Sequence, residues 1–343
     1  MIGPSPAVAV GAVALALALA LPLAARPLLL RAGVIDVPNA RSSHQRPTIR
    51  GMGITTAVAL IGALVVALFM PQGSGQGAPG ATLLMVILLS CAAAAAVGWV
   101  EDIRGLGIKV RAGLQLGIGA IATGAVALAD TAGNQLWWIP AGAVAVAAFV
   151  NVANFMDGLN GISGFQGLII GGFYAYAGYL TGHNWLIYAG VAIGLAFAGF
   201  LPWNLGPDNV FLGDVGSYLL GASISVTAMT AFLSGVPAEY VFSPVLIYLA
   251  DTFVTFLRRL KSGEPVYLAH RQHAYQRLTD APMSHLRATA VVSTATVLVS
   301  ALGVIAASEG GLIQVVASSL CLVVVYAYLR SPEFFARLAP SRK

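Results

Sequence analysis

The chain has 343 residues, 58% of them hydrophobic and only 9% charged, with a formal net charge of +5. A soluble globular domain carries charge on about a quarter of its positions, so this composition excludes one, together with a disordered chain, a disulfide scaffold and a DNA-binding domain. Apolar residues fall in long blocks rather than in alternating ten-residue stretches, which predicts an all-α, polytopic membrane helical bundle and not an outer-membrane barrel.

A spanning helix needs about 20 mostly apolar residues. Eleven transmembrane helices are predicted, near 6–25, 53–70, 81–100, 112–129, 136–154, 162–180, 185–201, 215–234, 241–257, 288–307 and 311–329, of which the fifth and seventh are short. They form one membrane domain over 1–343. The first has no Lys or Arg ahead of it and Arg26 and Arg31 behind it, the reverse of a secretory leader, and is read as a retained span. Cys91 and Cys321 sit within apolar runs as small hydrophobes. Trp137, Trp138 and Trp185 lie at segment ends, where amphipathic rings anchor to headgroups.

Assigning the loops alternately puts all 18 Lys and Arg on one side of the membrane. Positive residues stay on the cytoplasmic side during insertion, so the amino terminus is expected outside and the carboxyl terminus in the cytoplasm. The net charge follows from this arrangement and gives no reason to invoke nucleic acid.

In chain order, polar cytoplasmic stretches begin with Arg41 to Gly53, which holds His44, Arg46 and Arg50. Glu101-Asp102 follows, with Lys109, Arg111 and Gln115 behind it; then Asn151-Val-Ala-Asn154-Phe-Met-Asp157-Gly-Leu-Asn160-Gly161. Phe211-Leu-Gly213-Asp214-Val-Gly216-Ser217 and His270-Arg271-Gln-His273-Ala-Tyr275-Gln276 complete the set. Singly, each has an ordinary reading. Glu101 and Asp102 can be interfacial charges, Asp157-Gly and Asn160-Gly are turn dipeptides, Asp214 can be an N-cap, and the histidines can be solvated. Asn151 and Asn154 are harder to dismiss, because two amides on one face of an apolar helix need partners there.

Taken together, paired carboxylates, helix-terminal glycines and surplus cations at one membrane surface suit a divalent metal bridging phosphates. Magnesium is held by one or two carboxylates plus phosphate oxygens, and Asp157 and Asp214 are the candidates. Gly213 and Gly216 would let backbone N–H groups approach an anion at a helix start. The histidines and arginines would neutralise a diphosphate. Asp251, seven residues before Arg258, lies on the order of 10 Å inside its span, which makes it a functional suspect or a paired structural charge.

These motifs resemble those of the polyprenyl-phosphate N-acetylhexosamine-1-phosphate transferases, glycosyltransferase family 4. That superfamily includes the phospho-MurNAc-pentapeptide translocase and the initiators of O-antigen and teichoic-acid synthesis. The likeness runs from about residue 41 to about 277, and Asn-Phe-Met-Asp-Gly with Phe-Leu-Gly-Asp-Val-Gly-Ser carries most of it.

The resemblance implies a multi-pass enzyme of the bacterial inner membrane whose active site faces the cytoplasm. It would move a sugar phosphate from a UDP-N-acetylhexosamine to undecaprenyl phosphate, releasing UMP, with Mg2+ or in its place Mn2+, and with a homodimer possible. It makes Asp214 the principal metal ligand, with Asp157 and Asn154 beside it. Glu101 and Asp102 would act on the lipid phosphate, Lys109 would stand near the phosphates, and His270 and His273 would contact the nucleotide diphosphate. Asn151, His44, Arg46 and Arg271 complete the expected substrate-binding set. The histidine loop is closer to the O-antigen branch than to the translocase, whose three adjacent histidines it lacks. Two positions depart from the family pattern: Glu101 stands for an Asp, and Asn160 for a second Asp of Asp-Gly-x-Asp-Gly. A transporter is the rival reading, but its site usually lies near the midplane of repeated halves; a catalytically impaired lipid-binding relative is the other.

Overall fold

The computed structural model describes residues 5–36, 47–72, 79–129, 135–206, 210–264, 270–280 and 283–338. Helix α1 (Pro6–Arg31) leads to a short antiparallel pair, β1 (Ile35–Asp36) and β2 (Thr48–Ile49), in which Asp36 faces Thr48. There follow α2 (Gly53–Leu68), α3 (Gly80–Arg104), α4 (Ile108–Ala129), α5 (Ile139–Met156), α6 (Ile162–Thr181), α7 (Asn184–Leu205) and α8 (Gly213–Leu233). Short α9 (Ala238–Phe242) runs through a 3-10 turn into α10 (Leu246–Lys261), and α11 (Ala274–Asp280), α12 (His285–Ser308) and α13 (Gly311–Leu338) complete the chain. The molecule is the all-α membrane bundle expected from its hydropathy.

Each of the eleven predicted segments is helical. Among the described residues nine helices are long and apolar enough to cross a membrane, the short fifth and seventh predictions included. The two outside that set are α2, with 16 residues, and α6, whose glycines and tyrosines and Gln166 dilute its apolar content.

Helix α8 is the axis of the bundle: 89% of its apolar window is buried, against 17% for α13. A helix surrounded on all sides cannot be amphipathic, and α8 is accordingly built from small and apolar residues around its polar start. Small residues let membrane helices approach backbone to backbone. A Cβ at Gly53 would lie 2.5 Å from Gly216 Cα and from Leu212 O, which brings the start of α2 against the start of α8. A Cβ at Gly98 would collide with the backbone of Asp214 and Val215, which seats the end of α3 on the same turn.

Chain direction alternates between neighbours. At one end Gly161 N donates to Asn204 Oδ1 and the Thr289 hydroxyl donates to Asn160 O. At the other, Tyr188 donates to Pro71 O and Gln135 to Leu233 O. The polar motifs therefore converge on a single end of the bundle.

Candidate active site

A cavity of about 330 Å³ opens at that end, lined by Asp36, Arg50, Asn154, Asp157, Gly158, Leu159, Asn160, Asn204, Phe211, Leu212, Gly213, Asp214, Arg271, Gln276 and Thr279. Its centre is built at the junction of α5 and α8. Asn154, in the last turn of α5, donates to Asp214 Oδ1 at 2.7 Å and to Ser217 Oγ at 2.9 Å. Asn151, one turn earlier, donates to Gln115 Oε1 and to Ala147 O. The two amides thus have different tasks: Asn154 orients a cavity carboxylate, and Asn151 joins α5 to α4.

Asp157 follows α5 directly, in a turn that Gly161 (φ 85°) completes before α6. Positive φ is the ground of glycine, so Asn160-Gly161 is a turn, while Asp157-Gly158 lies in the irregular stretch just ahead of it and places a carboxylate in the cavity. Asp157 Oδ1 accepts from Ser163 Oγ at 2.6 Å. Burial pushes the Asp157 carboxyl up to about 7, the Ser163 hydroxyl draws it back, and the charge of Asp214 raises it further.

Arg50 was not in the predicted site set, although it stands in a stretch noted for its arginines. Its Nε lies 2.8 Å from Asp102 Oδ1 and its Nη2 2.7 Å from Asp214 Oδ2, so one guanidinium bridges both carboxylates. The planar fork of arginine suits this double contact. A sequence signal exists: Arg50 precedes Gly51-Met-Gly53, and Gly51 (φ 80°) turns the chain so that Gly53 can pack on α8. Asn204 was also missed. Buried in α7, it accepts from Gly161 N and donates to Val210 O at 2.8 Å, fastening the Asp157 turn to the approach of α8.

Asp102 is fully buried and lies beneath the cavity rather than in its wall. It accepts from Asp214 N at 3.0 Å and Val215 N at 2.9 Å, which makes it the anion at the start of α8. This corrects the expectation that Gly213 and Gly216 leave those N–H groups to a substrate anion. The glycines serve the helix crossing, and the protein's own carboxylate takes the donors.

Glu101 points the other way. It accepts from Leu106 N at 2.6 Å and pairs with Arg111 at 2.8 Å, closing the turn between α3 and α4. Lys109 is exposed at the start of α4 and does not line the cavity.

From the 270–276 loop, Arg271 and Gln276 line the cavity and the two histidines do not. His270 and His273 stack with ring centroids 5.0 Å apart, and His273 is buried. Burial first, then the neighbouring His273 and Arg259, lowers His270 to about 4 and keeps its ring neutral at neutral pH. His44 and Arg46 lie outside the described residues.

Among the described residues no three His, Cys, Asp or Glu side chains come together as a metal-binding group. Magnesium does not require such a cage, because phosphate oxygens and water supply most of its ligands. Asp157 and Asp214 share one cavity and repel each other's charge, a pairing that a bound cation would relieve.

A family model described as glycosyl transferase family 4 matches residues 84–232. The chain is 27% identical over 305 residues to the decaprenyl-phosphate N-acetylglucosaminephosphotransferase of Mycobacterium tuberculosis, covering 78% of this chain and 74% of the relative. It is 25% identical over 281 residues to the probable undecaprenyl-phosphate N-acetylglucosaminyl 1-phosphate transferase of Bacillus subtilis, covering 77% and 75%. With the phospho-N-acetylmuramoyl-pentapeptide-transferase of Clostridium botulinum it shares 29% over 176 residues, 50% of this chain and 52% of that one. With an apolar helical bundle and Asp102, Asn154, Asp157 and Asp214 gathered at one end of it, the chain is similar in sequence and in the placing of its polar motifs to the polyprenyl-phosphate N-acetylhexosamine-1-phosphate transferases.

Proposed function

We propose that the protein transfers an N-acetylhexosamine 1-phosphate from a UDP-sugar to undecaprenyl phosphate at the cytoplasmic face of a bacterial inner membrane, releasing UMP. The observation that carries this reading is the convergence of Asp157, Asp214, Arg50 and Arg271 on one polar cavity at the end of an apolar bundle. The cytoplasmic assignment rests on all 18 Lys and Arg falling in alternate loops. UDP-N-acetylglucosamine is the first donor to test, since the relatives aligned over most of their length carry that sugar in their names.

A lipid phosphate oxygen attacks the sugar-linked phosphorus, and the bond from that phosphorus to the UMP oxygen breaks. Both reactants are anions, so placement and charge neutralisation account for most of the catalysis. Asp157 and Asp214 would hold magnesium, which when bound supplies positive charge to the diphosphate. Arg271 adds a cation at the cavity wall, and Asn154 keeps Asp214 in its rotamer. A phosphate monoester with a second pKa near 6 arrives mostly deprotonated, so a dedicated base is needed only for the minor protonated form.

The test is UMP release by detergent-purified protein with undecaprenyl phosphate, magnesium and a panel of UDP-sugars, beside Asp214→Ala. UMP that requires lipid, metal and Asp214 establishes the reaction. Its absence with every donor, from folded protein with an active homologue as control, overturns it in favour of a lipid-binding relative without turnover.

A further inference from the structure

Asp251 is fully buried in α10, and the reaction above gives it no part. A carboxylate withdrawn from water is costly unless its oxygens are hydrogen-bonded. Asp251 Oδ1 accepts from Ala274 N at 2.9 Å and lies 3.2 Å from His273 Nδ1. Its Oδ2 accepts from Tyr275 N at 3.2 Å and from the Tyr328 hydroxyl at 2.6 Å. With no exposed surface and no place in the cavity wall, Asp251 is neither a metal ligand nor an available base. Its partners are the first two N–H groups of α11, His273 just before that helix, and Tyr328 of α13.

The 270–276 loop and α11 bring Arg271, Gln276 and Thr279 to the cavity wall. Tyr275 donates to Phe155 O at 2.8 Å and packs on Gly158, so the loop also rests on the turn that carries Asp157. Most of α13 is exposed, yet its buried residues include Tyr328, Ser331 and Pro332 at the end that meets α11. Arg277 pairs with Glu333 there at 2.6 Å.

We infer that Asp251 and Tyr328 are positioning residues, through which the C-terminal helix α13 holds Arg271 and the start of α11, with its Gln276, in register at the polar cavity wall, where a water-soluble nucleotide sugar rather than a prenyl chain finds partners. The inference rests on the reaction proposed above. It assigns the carboxylate inside the span to specificity for one of the two substrates, and it gives a lipid-facing helix a task at the active site.

Tyr328→Phe removes one hydroxyl from this network and keeps the ring. It is expected to raise KM for UDP-N-acetylglucosamine roughly 3- to 10-fold, since small displacements of positioning groups are amplified in catalysis, while KM for undecaprenyl phosphate stays at the parental value. Amide hydrogen exchange should quicken over 270–280 and nowhere else. Glu333→Gln should act in the same direction and less strongly. Parental exchange in the loop, or KM values for both substrates rising together with exchange quickened throughout the chain, would overturn the inference and leave Asp251 a paired structural charge. If the parent releases no UMP, the proposed reaction fails by itself; local quickening in Tyr328→Phe still supports the positioning role, and unchanged exchange still removes it.

Discussion

The two carboxylate clusters of this protein differ in what faces them. Around Asp251, backbone amides and a tyrosine hydroxyl occupy both oxygens, and the group is closed to the cavity. Around Asp157 and Asp214, one arginine and one amide hold Asp214, a serine holds Asp157, and both open on the cavity. Depth alone does not separate them, because Asp102 is as buried as Asp251. What separates them is access: Asp251 meets only buried protein donors, whereas Asp157 and Asp214, though partnered, line a cavity that a cation can enter.

The contrast is broken most severely by removing Asp214. Asp214→Ala is expected to lower UMP release by about 10²- to 10³-fold, the size of losing a preorganised charge contact, with little change in KM for the lipid; wild-type turnover would end the assignment. Next comes Arg50→Ala, which leaves Asp102 and Asp214 without their shared partner. It should cost roughly 10²-fold in kcat, and Arg50→Lys should recover only part, because an ammonium cannot span both carboxylates.

A pH series sharpens the comparison. The folded Asp157 carboxyl sits at about 7, above its ordinary value, so its contribution favours the folded state at low pH and is lost as pH rises through 7. In chelator-treated protein, Asp157→Asn should therefore raise Tm at pH 8 relative to the parent and make little difference at pH 4. Added magnesium should stabilise the parent at pH 8 and not the variant. Equal effects at both pH values would show that Asp157 is not held near neutrality.

The smallest expected effect is at Glu101. Its oxygens are engaged by Leu106 N and Arg111, so Glu101→Gln should reduce activity about 2- to 5-fold, with a Tm decrease of a few degrees from loss of one partly buried pair. A loss as large as that of Asp214→Ala would return Glu101 to the reacting groups.

Much of this was legible in the residues. All eleven apolar blocks are helical, the ninth broken into α9, a 3-10 turn and α10, because an apolar run of that length in lipid must close its hydrogen bonds along itself. The Asn160-Gly161 turn was readable from its glycine, and the need of Asn151 and Asn154 for partners from their place on an apolar helix. The partners themselves were not: Gln115 is 36 residues from Asn151, and Asp214 is 60 from Asn154. Nor could spacing show that adjacent Glu101 and Asp102 face apart, one to the α3–α4 turn and the other to the start of α8.

The sequence by itself determined the class of molecule, its apolar helices, the loops that collect positive charge and the motifs near them, since these depend on composition and short-range pattern. Only the tertiary structure decided which carboxylate caps a helix, which closes a turn, which anchors the histidine loop and which remain open to a ligand. The physical reason is that a carboxylate's chemistry is set by the donors within about 3 Å of it, and here most of those donors arrive from helices brought together by glycine crossings far along the chain.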